Sequence, residues 1–308
     1  MKQIAFIFPG QGSQHVGMGK EFYDQLRVAK EVFEEADDTL RFSISGLCFH
    51  GPEEELKLTE NTQPAILTTS VAALKVLQTE KGIDPQFAAG HSVGEYSALV
   101  ASGALSFAEA LQAVRLRGRF MQEAVPVGVG AMAAVLGMER EDVERLCEEV
   151  AEGEVVSPAN FNCPGQIVIA GHSKAVQRAI ERVKTRGKKA LLLPVSAPFH
   201  SPLMKPAAAR LEKVLEGISV RELKLPVVTN VEAEVNTSAE RVKSLLVAQV
   251  SSPVRWEESM RRMIRDGIEQ VLEIGPGKVL SGLMKRIDSS VGTGNVEDIQ
   301  SLKKIDRG

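Results

Sequence analysis

Twice in its first hundred residues the chain passes from a short apolar run through a glycine-rich loop into helix-forming sequence, and few folds accommodate that pattern. Ile4-Ala5-Phe6-Ile7-Phe8 is continuously apolar, as expected of a strand covered on both faces in a parallel sheet, and it runs straight into Pro9-Gly10-Gln11-Gly12-Ser13-Gln14. Phe87-Ala88-Ala89 leads likewise into Gly90-His91-Ser92-Val93-Gly94 and a small-residue helix ending near Ala101. Helical spacing covers Met18 to Leu40, and again Thr62–Gln78 with Pro64 in its first turn. This alternation predicts an α/β sheet.

From Pro126 to Val195 the rhythm changes. Gly130–Leu136 reads as a strand, and Val143, Leu146, Cys147 and Val150 mark a helical face. Val155–Phe161 and Gln166–Ala170 read as strands, Val176, Ile180 and Val183 as a second helical face, and Lys189–Val195 as a closing strand. The order βαββαβ over about 70 residues is ferredoxin-like. The expected fold class is α/β: an α/β-hydrolase-like large domain with a parallel sheet core, residues 1–125 and 196–308, interrupted by a ferredoxin-like subdomain over 126–195. Leu225–Val231 and Gln270–Ile274 are expected to resume the sheet, with Val242–Val250 and Ser259–Arg265 helical between them. Thr293-Gly294-Asn295 reads as a mobile connection.

Composition narrows the function by exclusion. Thirty-seven basic against 40 acidic residues argue against a general binder of nucleic acid or anionic membrane, and two Tyr and one Trp make stacking platforms scarce. Cys48, Cys147 and Cys163 are far apart with no CxxC, and the five His lack HExxH or HxxxH spacing, so neither disulfides nor a metal are expected. The run Ile4–Phe8 is too short for a secretory signal, and the uncharged stretch Ala124–Met138 is too short for a membrane span. A cytoplasmic location is expected.

Gly90-x-Ser92-x-Gly94 fits a nucleophile elbow, in which a sharp strand-to-helix turn lifts the serine hydroxyl above the sheet. The pattern alone fits a structural turn equally well. Ala170-Gly171-His172-Ser173 copies Ala89-Gly90-His91-Ser92 without the second glycine, and Ser173 is expected to cap the helix that follows. Gly128-x-Gly130-x-x-Ala133 precedes a strand instead of a helix, and Gly277-Lys278 lacks the rest of a phosphate-binding loop, so neither NAD nor ATP is expected.

Five segments in one order complete the picture: Phe8-Pro9-Gly10-Gln11-Gly12-Ser13-Gln14, Gly90-His91-Ser92-Val93-Gly94-Glu95, Arg115-x-Arg117-Gly118, Ser196-Ala197-Pro198-Phe199-His200-Ser201 and Glu273-Ile274-Gly275-Pro276-Gly277. Over essentially the whole chain this set resembles the acyltransferase family that contains malonyl-CoA:acyl carrier protein transacylases and the acyltransferase domains of polyketide synthases. The resemblance implies ping-pong transfer of malonyl from coenzyme A, through an ester on Ser92, to the phosphopantetheine thiol of an acyl carrier protein. It makes His200 the general base, steered by the backbone carbonyl of Gln249, and gives the oxyanion hole to the backbone N–H groups of Gln11 and Val93. Arg117 would hold the free malonyl carboxylate. Helical geometry agrees in part, placing Arg117 at the edge of the face shared by Phe107, Leu111, Val114, Gly118 and Met121, where a snorkelling surface arginine is the alternative.

The same resemblance places His91, Gln63, Met121, Asn160 and Asn162 around the substrate. It reads Phe199 as a bulky ring that leaves little room for an α-methyl branch. His15, His50 and His172 are expected at the surface or at helix caps. No cofactor or metal is implied, and the chain is expected to be a monomer. Arg186, Lys188 and Lys189, or Lys285-Arg286, are candidates for docking an acidic carrier. Two competing readings are a serine thioesterase or hydrolase, which would usually add an acidic triad member, and a non-catalytic subunit that binds carrier protein.

Overall fold

The apolar run near the start lies in the middle of a six-stranded sheet. The computed structural model describes residues 3–195 and 197–306. Ser196, which opens one of the five motifs and the second half of the expected large domain, lies outside the described residues, as do Met1, Lys2, Arg307 and Gly308. The strands are β1 (Ile4–Phe8), β2 (Phe87–Gly90), β3 (Gly130–Leu136), β4 (Val156–Cys163), β5 (Gln166–His172), β6 (Lys189–Leu192), β7 (Val227–Val228), β8 (Val235–Asn236), β9 (Gln270–Ile274) and β10 (Gly292–Val296). The first sheet has the order β10-β9-β1-β2-β7-β8 and is parallel except for the β7–β8 pair. The second has the order β4-β5-β3-β6 and is antiparallel throughout.

Side-chain alternation explains the layers. Phe6 and Phe8 enter the largest core with the helix Thr59–Lys81, while Ala5, Ile7, Ala89 and Val271 face the other way, onto Trp256, Met260 and Met284. In the antiparallel sheet Ala133, Val135, Ile167 and Ile169 pack on the helices Arg140–Val150 and Ser173–Thr185. Its other face, with Met132, Ala134, Val168 and Ala170, joins the main core. Both faces of the sheet centres are therefore buried, each large side chain contributing about 1.5–3 kcal/mol, while Leu191 and Leu192 on the edge strand β6 stay exposed.

Several local expectations need correction. Thr293-Gly294-Asn295 is the middle of β10, paired with Val271, Leu272 and Glu273 of β9, not a mobile connection. A Cβ on Gly294 would lie 2.8 Å from Leu272 Cδ2, so a larger residue there would have to displace that side-chain tip. The Met18–Leu40 segment is two helices, Lys20–Gln25 and Arg27–Leu40, broken where Leu26 adopts an extended conformation. The helix predicted from Thr62 starts at Thr59, which puts Pro64 inside it and not in its first turn. Of Leu225–Val231 only Val227–Val228 is a strand, and Lys189–Val195 stops at Leu192. Ser173 is the first helical residue instead of the cap, and its hydroxyl donates to Gly128 O at 2.8 Å.

Because β1, β2 and β9 are parallel neighbours, the loops after them emerge along one edge, where open α/β sheets bind their ligands. They also touch. A Cβ on Gly10 would lie 2.5 Å from His91 O, and one on Gly275 would lie 3.1 Å from the Pro9 ring.

Candidate active site

Gly90 ends β2 and the next helix begins at Gly94, so the chain reverses within three residues. Both glycines are required by contact. A Cβ on Gly90 would lie 1.9 Å from Gly94 C, and one on Gly94 would lie 2.2 Å from Phe8 O. Between them Ser92 has φ +52°, a left-handed conformation that a non-glycine residue adopts only when its surroundings enforce it. Asn230 does so here: its Oδ1 accepts from Ser92 N–H at 2.7 Å and its Nδ2 donates to Gly90 O at 2.7 Å.

His200 reaches the elbow from the loop that precedes the short turn Pro202–Met204, and it too is left-handed, with φ +57°. Its Nδ1 lies 2.9 Å from Gln249 O, near the C-terminal end of the helix Ala239–Ser251. A carbonyl only accepts, so Nδ1 carries the proton and Nε2 is left to accept from the Ser92 hydroxyl at 2.7 Å. Burial, followed by the Arg117 charge, pushes His200 down to about 3, so the ring is neutral at ordinary pH. A neutral imidazole bonded to a serine hydroxyl can act as its general base.

Arg117 lies on the helix Phe107–Glu123 and is 1 % exposed, so the snorkelling alternative does not hold. The burial follows from its neighbour: a Cβ on Gly118 would lie 2.5 Å from Thr59 O, so only glycine lets the two helices come this close. Nη1 donates to Gln63 Oε1 at 2.8 Å, and Nη2 donates to Gln249 Oε1 at 2.9 Å and to Ser92 Oγ at 3.1 Å. Nε has no partner among the described residues, and no carboxylate there forms an ion pair with this guanidinium. A buried cation held only by neutral groups suits an anionic ligand, because a fork of N–H donors matches a carboxylate.

A cavity of about 470 Å³ opens beside the elbow, lined among others by Gln11, His91, Asn160, Asn162, Val168 and Leu283. His91 Nε2 donates to Asn162 Oδ1 at 2.9 Å, and burial lowers its pKa. Gln11 sits in a turn closed by Ser13 N–H on Gly10 O, with Gly12 at φ +103°. Val93 is the N-cap of the helix that starts at Gly94, which places its amide among those without an intrahelical acceptor. Met121 lies beside the cluster at Gln63, whose Nε2 is 3.8 Å from its sulfur. Phe199 is buried in the main core directly before His200. His15 and His50 are exposed, and His172 is partly buried, with its Nδ1 accepting from Val155 N–H.

Glu95 and Asn230 also support the elbow, and neither was singled out from the sequence. The only signal available was that Glu95 follows Ser92 by three residues inside a glycine motif. Burial pushes Glu95 up to about 7, against hydrogen bonds from Asn230 and Gln249 and the charge of Arg117. His200 and Glu95 therefore act oppositely on stability. Unfolded histidine takes up a proton as pH falls below 6.5 while folded His200 does not until about 3, so its contribution is lost on acidification. Folded Glu95 keeps a proton that the unfolded chain releases above 4.5, so its contribution is lost as pH rises toward 7. Between 4.5 and 6.5 the two offset each other. Glu95→Gln should therefore give a Tm that falls more steeply on acidification through this window than in the wild type, and parallel Tm–pH curves would contradict it.

The described residues hold no group of three or more His, Cys, Asp or Glu placed to bind a metal, and no helix among them is long and apolar enough to cross a membrane. Cys48, Cys147 and Cys163 are buried and unpaired. Arg186 pairs with Glu149, while Arg286 reaches from the large sheet side to Gln166 Oε1 and Pro164 O beside the cavity.

Comparison with known proteins converges. Residues 5–305 match the acyl transferase domain family. The malonyl CoA-acyl carrier protein transacylase of Bacillus subtilis (strain 168) is 53% identical over 305 residues, 98% of this chain and 96% of that one. Among solved structures, an acyl carrier protein S-malonyltransferase from Vibrio cholerae superposes with TM-score 0.96 at 46% identity, covering 99% of this chain and 100% of the other. A malonyl-transacylase in complex with its type II PKS acyl-carrier protein superposes with TM-score 0.95 at 48% identity, covering 98% of each chain.

Proposed function

This chain belongs to the acyl transferase domain family, and from that premise we propose that it is a malonyl-CoA:acyl carrier protein transacylase. It moves malonyl from coenzyme A to the phosphopantetheine thiol of an acyl carrier protein, supplying fatty acid or polyketide chain elongation. The observation that carries the reading is the buried Arg117 guanidinium, without a carboxylate partner among the described residues, donating to the same Ser92 Oγ that donates to His200. A nucleophile beside a fixed cation suits an acyl group that ends in a carboxylate.

In the proposed mechanism Ser92 Oγ gives its proton to His200 Nε2 and attacks the thioester carbonyl carbon. The amides of Gln11 and Val93 hold the developing oxyanion, each donor contributing about 3–4 kcal/mol. The C–S bond breaks, and the departing coenzyme A sulfur takes the proton from His200. The carrier thiol then gives its proton to His200 and attacks the ester carbonyl carbon, the bond from that carbon to Ser92 Oγ breaks, and Oγ takes the proton back from His200. Arg117 holds the malonyl carboxylate throughout. Gln63 and Gln249 orient Arg117, with Met121 packed behind Gln63. His91, Asn160 and Asn162 line the thioester channel, and Phe199 restricts the α-carbon. No cofactor is required.

The parallel sheet with its elbow supports an α/β-hydrolase-like large domain over 1–125 and 196–308. The β3–β6 sheet with its two helices supports a ferredoxin-like subdomain over 126–195. A cytoplasmic monomer fits this chemistry, with Lys285 and Arg286, exposed near the cavity, as one docking patch for an acidic carrier and Arg186, Lys188 and Lys189 as the other.

Transfer and hydrolysis separate in one assay. After loading with malonyl-CoA, the acyl-enzyme should persist in buffer and discharge on adding carrier thiol. Release to water at the same rate with or without thiol would make the protein a hydrolase.

A further inference from the structure

The mechanism above gives Glu95 no part, yet the hydrogen bonds that hold the site converge on it. Its carboxylate lies one helical turn beyond Ser92 and is 2 % exposed. Oε2 accepts from Asn230 N–H at 3.0 Å and from Gln249 Nε2 at 2.8 Å. Asn230 in turn holds Ser92 N–H. Gln249 does three further things: its Nε2 donates to Ser92 O at 3.1 Å, its Oε1 accepts from Arg117 Nη2 at 2.9 Å, and its main-chain oxygen accepts from His200 Nδ1 at 2.9 Å.

A side-chain amide can sit either way round, and here only one way works. With nitrogen toward Glu95 and oxygen toward Arg117, every contact pairs a donor with an acceptor. Reversed, Gln249 would set an oxygen against a carboxylate and an NH2 against a guanidinium. Glu95 and Ser92 O, as acceptors on the nitrogen side, and Arg117 Nη2, as donor on the oxygen side, select this orientation together, and Glu95 is the side-chain acceptor among them.

We infer that Glu95 is a positioning residue that locks the Gln249 amide and thereby sets the Arg117 fork against Ser92, tuning preference for acyl groups that carry a carboxylate. The inference rests on the transfer reading given above. A purely structural Glu95 would change how much protein folds, but not which acyl group the folded protein selects.

The test is competitive labelling of Ser92 by malonyl-CoA and acetyl-CoA in wild type, Glu95→Gln, Gln249→Ala and the double variant, with Tm measured on each. Glu95→Gln keeps the volume but adds a competing NH2. Assayed above pH 7, where Glu95 is ionised, it should slow malonyl labelling about ten- to a hundredfold, the usual effect of losing a charge-assisted hydrogen bond, and lower the malonyl-to-acetyl ratio by a comparable factor. The double variant should be no less selective than Gln249→Ala, because Glu95 acts through Gln249. Should Glu95→Gln fail to fold, Glu95→Asp, which keeps the acceptor but withdraws it, carries the same comparison. An unchanged ratio in the folded variant, or losses that multiply in the double variant, overturns the inference alone. Wild-type protein that forms no malonyl-Ser92 overturns the transfer reading and this inference with it.

Discussion

Ser92→Ala will leave the protein folded and unable to hold an acyl group. Alanine loses only the hydroxyl, and its methyl group meets the same backbone at φ +52° that serine already tolerates, so Tm should stay within a few degrees of the wild type. Activity should not survive. Losing a serine nucleophile from a serine–histidine pair costs on the order of 10⁴- to 10⁶-fold in kcat, because without the covalent intermediate the remaining groups only bind and polarise. The check is thiol exchange between malonyl-CoA and carrier protein: exchange by the variant at the wild-type rate would remove Ser92 from the nucleophile role, and both proteins at the uncatalysed rate would return the chain to the non-catalytic reading.

The second large effect concerns selectivity. Arg117 is buried, and the Glu95 carboxylate is linked to it by hydrogen bonds through Gln249 instead of by a direct ion pair. An acetyl group would leave the guanidinium uncompensated where malonyl pairs it, a difference of ~3–5 kcal/mol, or about two to three and a half decades in the malonyl-to-acetyl ratio. Arg117→Ala should remove most of that ratio, chiefly by lowering the malonyl rate. Arg117→Lys should recover only part of it, since an ammonium keeps the charge but not the planar fork. The readout is the ester formed when both thioesters compete, and a ratio equal to the wild type would take Arg117 out of the carboxylate role.

What the sequence discloses follows from which forces leave a local trace. β1 is legible because a strand buried on both faces must be apolar along its length. The elbow is legible because a Cβ on either of its two glycines would lie 1.9 or 2.2 Å from neighbouring backbone, which no other residue tolerates. β10 left no such trace: Gly292-Thr293-Gly294-Asn295 has the composition of a loop, and β9 supplies its pairing from outside. The break at Leu26 is equally silent, since the apolar period continues through it. Glu95 and Asn230 read as ordinary polar residues of a helix start and a loop. Only the tertiary structure buries them together at the elbow, through a bond from Asn230 N–H to Glu95 spanning 135 residues of chain and one from Ser92 N–H to Asn230 spanning 138. Arg117 falls between these cases. The helical wheel puts it at the edge of an apolar face, and the close approach at Gly118 turns that edge inward.

The central claim is a covalent malonyl ester on one serine. Intact-protein mass spectrometry after brief exposure to malonyl-CoA, followed by peptide mapping, addresses it directly. One malonyl group should be found on the peptide containing Ser92, absent from Ser92→Ala and lost on adding carrier thiol. A malonyl group on any other residue, or wild-type protein that transfers malonyl while Ser92 stays unmodified, would contradict the account.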